Sequence, residues 1–128
     1  MPIFLNTYNP PNQPLPARCA AFGRALATLI ARYPKDIRVG LMASGGLSHF
    51  VVEEDLDRGV LDAIRRKDIA WLERLDPKRL QAGSSEIRSW IAVAAAVADR
   101  FDLAWTAYVP GYRTLAMTGT GLAFATWG

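Results

Sequence analysis

The 128-residue chain contains one histidine, His49, and one cysteine, Cys19. With a single cysteine no disulfide can form within one copy of the chain, so nothing indicates an oxidising compartment. With a single histidine, one copy cannot build a metal site that needs two or three histidine ligands. These counts exclude disulfide-stapled scaffolds and multi-histidine metal sites made by this chain alone.

Long hydrophobic runs are also missing. The longest apolar helical run, residues 90–98, is far shorter than the roughly 20 residues that a membrane-spanning helix needs. Polar and proline residues near the amino terminus interrupt any signal-peptide pattern. The composition, 51% hydrophobic and 21% charged, is that of a folded domain, so we expect a soluble cytoplasmic protein with no membrane partner.

Charge of one sign is not concentrated anywhere in the chain. Lysine and arginine number 15 and aspartate and glutamate 12, which gives a net charge of +3. The basic residues are scattered among acids, so a nucleic-acid-binding function has only this mild excess of positive charge in its favour. The length allows one core-bearing domain, so residues 1–128 are expected to form a single domain.

Hydrophobic periodicity predicts an α/β fold. Apolar runs predict strands at 2–8, 37–43, 103–109 and 122–127, and helical spacing predicts helices at 16–33, 55–67, 69–75 and 85–100. A proline-rich stretch, 9–16, predicts an extended loop. The order of elements predicts a mixed β-sheet flanked by helices, with at least one βαβ unit.

Two glycines precede the only histidine in the segment Ser44-Gly45-Gly46-Leu47-Ser48-His49, which follows a predicted strand. Loops at the carboxyl ends of strands carry ligand sites in open α/β sheets, and glycines permit a sharp turn there. His49 is therefore a candidate acid/base or ligand, and a packing or helix-capping histidine is an equal alternative. The segment lacks the lysine and the spacing of a phosphate-binding loop.

Glu86 begins a predicted helix that is otherwise mostly apolar. An acid in the first turn stabilises a helix through its dipole by a few tenths to about 1 kcal/mol, which is the simplest explanation of this residue. A carboxylate at the start of a buried helix is also a plausible metal ligand or base. Cys19 lies on an apolar helix face and is expected to be inert.

Several segments, taken together, point to one family. They are, in chain order, Asn6-Thr7-Tyr8 with Pro10-Pro11-Asn12-Gln13-Pro14, Arg18-Cys19, the stretch 43–50, the stretch 85–92, Tyr112-Arg113-Thr114 and Gly119-Thr120-Gly121. Together they closely resemble the class III extradiol ring-cleavage dioxygenases, and the catalytic subunits of the protocatechuate 4,5-dioxygenase type in particular. The resemblance extends over essentially the whole chain and corresponds to the carboxyl-terminal half of that catalytic domain.

The resemblance implies an oxidoreductase of aromatic catabolism that opens a catechol ring with O2 at non-haem Fe(II). In the family, two histidines and one glutamate hold the iron. The acid/base histidine of the family maps onto His49, and the metal-binding glutamate maps onto Glu86. Asn12, Tyr112 and Arg113 are weaker matches for the substrate pocket, with a role as loop anchors as the alternative. The implied fold is the carboxyl-terminal half of the dioxygenase α/β domain.

The chain departs from the family in one respect, because it lacks the two iron-binding histidines. In the family, these histidines lie amino-terminal to the matched region. We therefore expect a fragment, a truncated product or one half of a split enzyme, inactive alone, with Fe(II) absent or weakly bound. A separate histidine-bearing half is an expected partner. Since a half-domain exposes a sheet edge and an apolar face, a homo-oligomer is expected too. The alternative function is a non-catalytic binding or assembly module that keeps the fold without the metal.

Overall fold

The computed structural model describes all residues, 1–128, and contains four α-helices and three β-strands. The elements are α1 (Pro16–Ala31), β1 (His49–Val51), α2 (Glu54–Arg65), α3 (Ile69–Glu73), α4 (Ile87–Val97), β2 (Leu103–Tyr112) and β3 (Thr118–Trp127). The strands form one antiparallel sheet in the order β1-β3-β2. None of the helices is both long enough and apolar enough to cross a membrane.

The helices predicted from hydrophobic spacing are all present. α1 begins with Pro16, whose missing N–H and fixed φ suit a first helical position, and it ends shortly before Pro34. α4 begins at Ile87, two residues later than predicted, because Ala82–Glu86 form a 3₁₀ turn that leads into it. α1 and α4 pack closely because Gly23 has no side chain where the Ala92 carbonyl approaches.

The hydrophobic core lies between the helices and one face of the sheet. Fully buried side chains come from all four helices and from the connecting loops, including Cys19, Leu47, Leu56, Val60, Leu72, Leu80, Ile87 and Ile91. Ala123, Ala125 and Trp127 of β3 pack against this core from the sheet. The alternating residues of β3 remain exposed, so the sheet is covered on one face only.

Two predicted strands and the predicted sheet type were wrong. Residues 2–8 and 37–43 have no regular structure, and large apolar side chains there are exposed, such as Phe4 and Met42. The sheet is antiparallel rather than mixed, and it contains no βαβ unit. The physical reason is that a β-strand forms only when a neighbouring strand makes hydrogen bonds to its backbone. Within residues 1–128, neither segment has such a neighbouring strand.

The hairpin of β2 and β3 is longer than predicted. The two strands pair from Leu103 with Trp127 to Tyr112 with Gly119. Gly119 has a φ of +156°, and a Cβ there would collide with the Gly111 carbonyl group. Glycine at this position therefore permits the pairing to continue to the end of the hairpin.

Asp57 of α2 joins three parts of the fold. Its side chain is fully buried and accepts hydrogen bonds from the Ser48 backbone N–H (2.8 Å), the Ser48 hydroxyl (2.7 Å) and the Tyr108 hydroxyl (2.8 Å). Burial, together with the hydrogen bond to Asp57, raises the pKa of Tyr108 well above its usual value. Gly121 of β3 packs so closely over Asp57 that a Cβ would collide with its carboxylate.

We expect Asp57→Ala to lower the free energy of unfolding by about 3 kcal/mol, because it leaves the buried Ser48 and Tyr108 donors without their acceptor. Urea unfolding monitored by tryptophan fluorescence measures the change. Asp62→Ala on the exposed side of the same helix is the matched control, since Asp62 only pairs with Arg65 at the surface. The control should change stability by less than about 0.5 kcal/mol. Equal effects of the two substitutions would contradict the structural role of Asp57.

Cys19 should be unreactive in the folded protein, as the sequence predicts. Its side chain is 1% exposed, and burial raises the pKa of its thiol to about 11. The raised pKa lowers the reactive thiolate fraction near neutral pH about 100-fold. We therefore expect a colorimetric thiol reagent to label the protein in denaturant and not under native conditions at about pH 8. Cys19→Ser controls for background colour, and fast labelling of the native protein would show that α1 opens readily.

Candidate functional site

The segment 44–49 passes directly over Glu86 and then turns into β1. Gly45 has a φ of +139°, a backbone conformation that favours glycine, and a Cβ there would contact the Glu86 side chain at 2.9 Å. A Cβ on Gly46 would lie 2.6 Å from Cε1 of the His49 ring. The two glycines therefore bring the backbone close to both candidate side chains. Hydrogen bonds of Leu47 and Ser48 with Gly121 hold the segment against β3.

His49 is the first residue of β1 and pairs with Thr120 of β3. Its Nδ1 lies 3.0 Å from the Leu47 carbonyl oxygen, which only accepts hydrogen bonds, so Nδ1 carries the proton. Its backbone N–H donates to the Ser84 hydroxyl at 3.0 Å. The side chain is 22% exposed and Nε2 faces Glu86. One ring nitrogen is thus fixed by the backbone, and the other is left for a different partner.

Glu86 is the last residue of the 3₁₀ turn that precedes α4. Its side chain makes no capping hydrogen bond to its own helix. Instead Oε2 accepts the Gly46 backbone N–H at 2.7 Å and lies 3.6 Å from Nε2 of His49. The structure therefore brings the two principal candidates together, and the dipole explanation alone does not account for the direction of the Glu86 side chain.

Three residues to which the sequence assigned no role hold the segments around this pair. Ser84 holds the His49 backbone, and Asp57 holds the residue before it. Arg88 of α4 is buried and donates to the carbonyl oxygens of Pro14, Thr7 and Leu80, which fixes the amino-terminal loop beside the 3₁₀ turn. This burial lowers the pKa of Arg88. Only Asp57 left a signal in the sequence, because it lies on the apolar stripe of α2, three and four residues before Val60 and Leu61.

The weaker candidates do not contact the His49–Glu86 pair through any hydrogen bond or ion pair. The Tyr112 hydroxyl donates to Oε1 of Glu54 at 2.6 Å, which raises the pKa of Tyr112 and lowers that of Glu54. Arg113 is exposed in the hairpin turn, and its backbone N–H donates to the Thr118 carbonyl. Asn12 is exposed in the loop that Arg88 holds. Their place in a substrate pocket stays a prediction.

The donor set of this chain does not fit an Fe(II) site by itself. His49 and Glu86 supply one nitrogen and one carboxylate, and no third histidine, cysteine, aspartate or glutamate joins them. A site with two histidines and one carboxylate needs two histidine ligands, and the chain contains one histidine. The Oε2 atom of Glu86 is also already engaged by Gly46. These residues can hold and exchange a proton, but they do not enclose a metal.

Comparison with known proteins identifies the family. A family profile described as the catalytic LigB subunit of aromatic ring-opening dioxygenase matches residues 1–123 of the 128. No curated protein and no solved structure matches the chain. The matched range contains the His49 loop, the Glu86 turn, β2 and the first part of β3. The chain therefore belongs to the LigB family, the catalytic subunits of class III aromatic ring-opening dioxygenases.

Proposed function

We propose that this chain takes part in the ring-opening dioxygenation of a catecholic substrate with O2, with His49 as acid/base and Glu86 as the carboxylate of a non-haem Fe(II) site. The observation that carries the proposal is the approach of Nε2 of His49 to within 3.6 Å of Oε2 of Glu86. Membership of the LigB family supports the reaction class. The type that the sequence resembles is the protocatechuate 4,5-dioxygenase.

His49 is suited to take a proton from a substrate hydroxyl. Because the Leu47 carbonyl holds the proton on Nδ1, the lone pair of the neutral imidazole is on Nε2. A base held in this way can accept a catechol proton without first reorienting its ring. The Glu86 carboxylate lies close enough to attract the imidazolium that this transfer creates. The partial exposure of both side chains leaves access to the pair.

The iron would supply the activation of O2, and its two histidine ligands must come from outside these 128 residues. The chain has no histidine besides His49, and we assign His49 to proton transfer. We therefore propose that residues 1–128 form one partial domain, equivalent to the carboxyl-terminal half of the catalytic domain. The active unit then contains a second, histidine-bearing segment that reaches Glu86.

A second candidate function is a non-catalytic assembly module that keeps the fold without the metal. The observation that favours it is the hydrogen bond from Gly46 to Glu86, which gives the carboxylate a structural partner within the chain. The two candidates differ in whether Glu86 and His49 matter for turnover once the missing histidines are supplied.

We expect the purified chain, supplied anaerobically with Fe(II), to bind the metal weakly and to leave protocatechuate and similar catechols intact, because it offers one matched ligand. Co-expression with the histidine-bearing amino-terminal segment of a LigB-family catalytic subunit should restore ring cleavage. His49→Phe or Glu86→Ala should then abolish it, and Asp62→Asn should leave the rate unchanged. Oxygen consumption and the absorbance of the ring-opened product measure these rates.

Three results would contradict the proposal. Ring cleavage by the isolated chain would show that the iron is held by ligands other than those assigned. Turnover of the completed assembly that survives both His49→Phe and Glu86→Ala would show that the pair has no part in the reaction. An assembly that forms and stays inactive with wild-type residues would favour the assembly module.

A further inference from the structure

A large apolar groove lies beside the candidate site. Its volume is about 1120 Å³, and most of its lining residues are hydrophobic. Its lining includes Ile30 of α1, Val93 of α4, Val39 and Met42 of the segment 35–43, and Phe124 of β3. We call the segment 35–43 and β3 the two walls of the groove. Val39, Met42 and Phe124 are 48%, 89% and 60% exposed, so the walls present apolar side chains to solvent. We call this surface the open groove.

The backbone along both walls lacks strand partners. Residues 34–44 make no hydrogen bond to any other part of the chain. On the other wall, β1 pairs with β3 only over Thr118–Thr120, so β3 beyond Gly121 has β2 as its one neighbour. Two stretches of unpaired backbone that line one apolar groove offer the hydrogen-bonding groups that an added β-strand can satisfy. Shape and hydrogen-bonding capacity therefore both indicate a strand as the occupant.

The charges at the groove favour a different chain over a second copy of this one. Lys35 and Arg100 are the only charged residues in the lining, both are basic, and neither forms an ion pair within the chain. Two copies that met groove to groove would bring these cations together with no acid between them. An occupant with acidic residues would pair with them instead. The homo-oligomer expected from the sequence is thus the less favoured occupant of this surface.

We propose that the open groove binds an apolar β-strand of a partner that carries acidic residues facing Lys35 and Arg100, and that this partner is the histidine-bearing segment. This inference rests on the proposed function, because only that function requires the partner to carry histidines. The groove lining reaches Gly45, which packs against Glu86, so a strand bound there brings its chain to the carboxylate that needs histidine neighbours. The open groove is thereby the surface that completes the site.

The test uses the full 128-residue chain and, as the probe, the histidine-bearing amino-terminal segment of a LigB-family catalytic subunit, co-expressed. Light scattering should give the mass of a 1:1 complex. Val39→Asp and Phe124→Asp should each weaken association by about tenfold or more, because they place a charge against a desolvated strand. The double variant Lys35→Glu with Arg100→Glu should weaken it as well.

Leu115→Asp is the matched control, since Leu115 is a fully exposed apolar residue at the hairpin turn and outside the groove. It should leave association unchanged, and circular dichroism should show that every variant is folded. Glu86→Ala should leave the complex intact and remove only turnover. A complex that forms through the groove without turnover keeps the docking surface and contradicts the proposed function, so the two can fail separately.

Three results would overturn the docking surface. The first is failure of the wild-type chain to form a complex with the probe. The second is a complex that Val39→Asp, Phe124→Asp and Leu115→Asp affect equally. The third is a dimer of the isolated chain that Val39→Asp dissociates, which would assign the groove to a second copy.

Discussion

The arrangement of the candidate site depends on the hydrogen bonds that Asp57 accepts. A buried carboxylate is tolerated only where donors surround it, and here Ser48 supplies two donors and Tyr108 supplies the third. Because Ser48 is held in this way, the next residue, His49, begins β1 at a fixed place. The requirement extends to β3, where only glycine fits at position 121 against the same carboxylate. A single helix residue thus determines how the loop, the helix and the sheet meet.

The pairing of His49 with Glu86 follows from that fixed loop and not from the attraction between them. At 3.6 Å the two groups are beyond ordinary hydrogen-bonding distance, whereas the Glu86 carboxylate accepts the Gly46 N–H at 2.7 Å. The backbone therefore sets the position of the carboxylate, and the imidazole is set independently by Leu47 and Ser84. Two groups held by separate backbone contacts therefore stay near one another without depending on a bond between them.

The helices could be predicted from the sequence because a helix satisfies its backbone within one segment, so local spacing is enough. The strands at 2–8 and 37–43 could not, because their apolar runs report a tendency to pair while the partner lies elsewhere. The residues of the candidate site also differ in whether a local sequence pattern could identify them. His49 and Glu86 were found through their motifs, although their proximity came only from the fold. Ser84 and Arg88 act through long-range contacts that no local pattern reveals, whereas Asp57 interrupts an apolar stripe and could have been identified.

The exposed apolar run at 37–43 and the histidines that the proposed function requires lead to the same surface of the molecule. The run Ile37-Arg38-Val39-Gly40-Leu41-Met42-Ala43 has the composition of a buried strand, yet its side chains lie largely in solvent beside an apolar groove. Exposed apolar surface of this extent is costly in water unless another surface covers it. Under the proposed function, the candidate site also needs two histidine ligands, and the chain contains no histidine besides His49. Since the groove reaches Gly45 beside Glu86, one partner strand could cover the apolar surface and supply the missing ligands together.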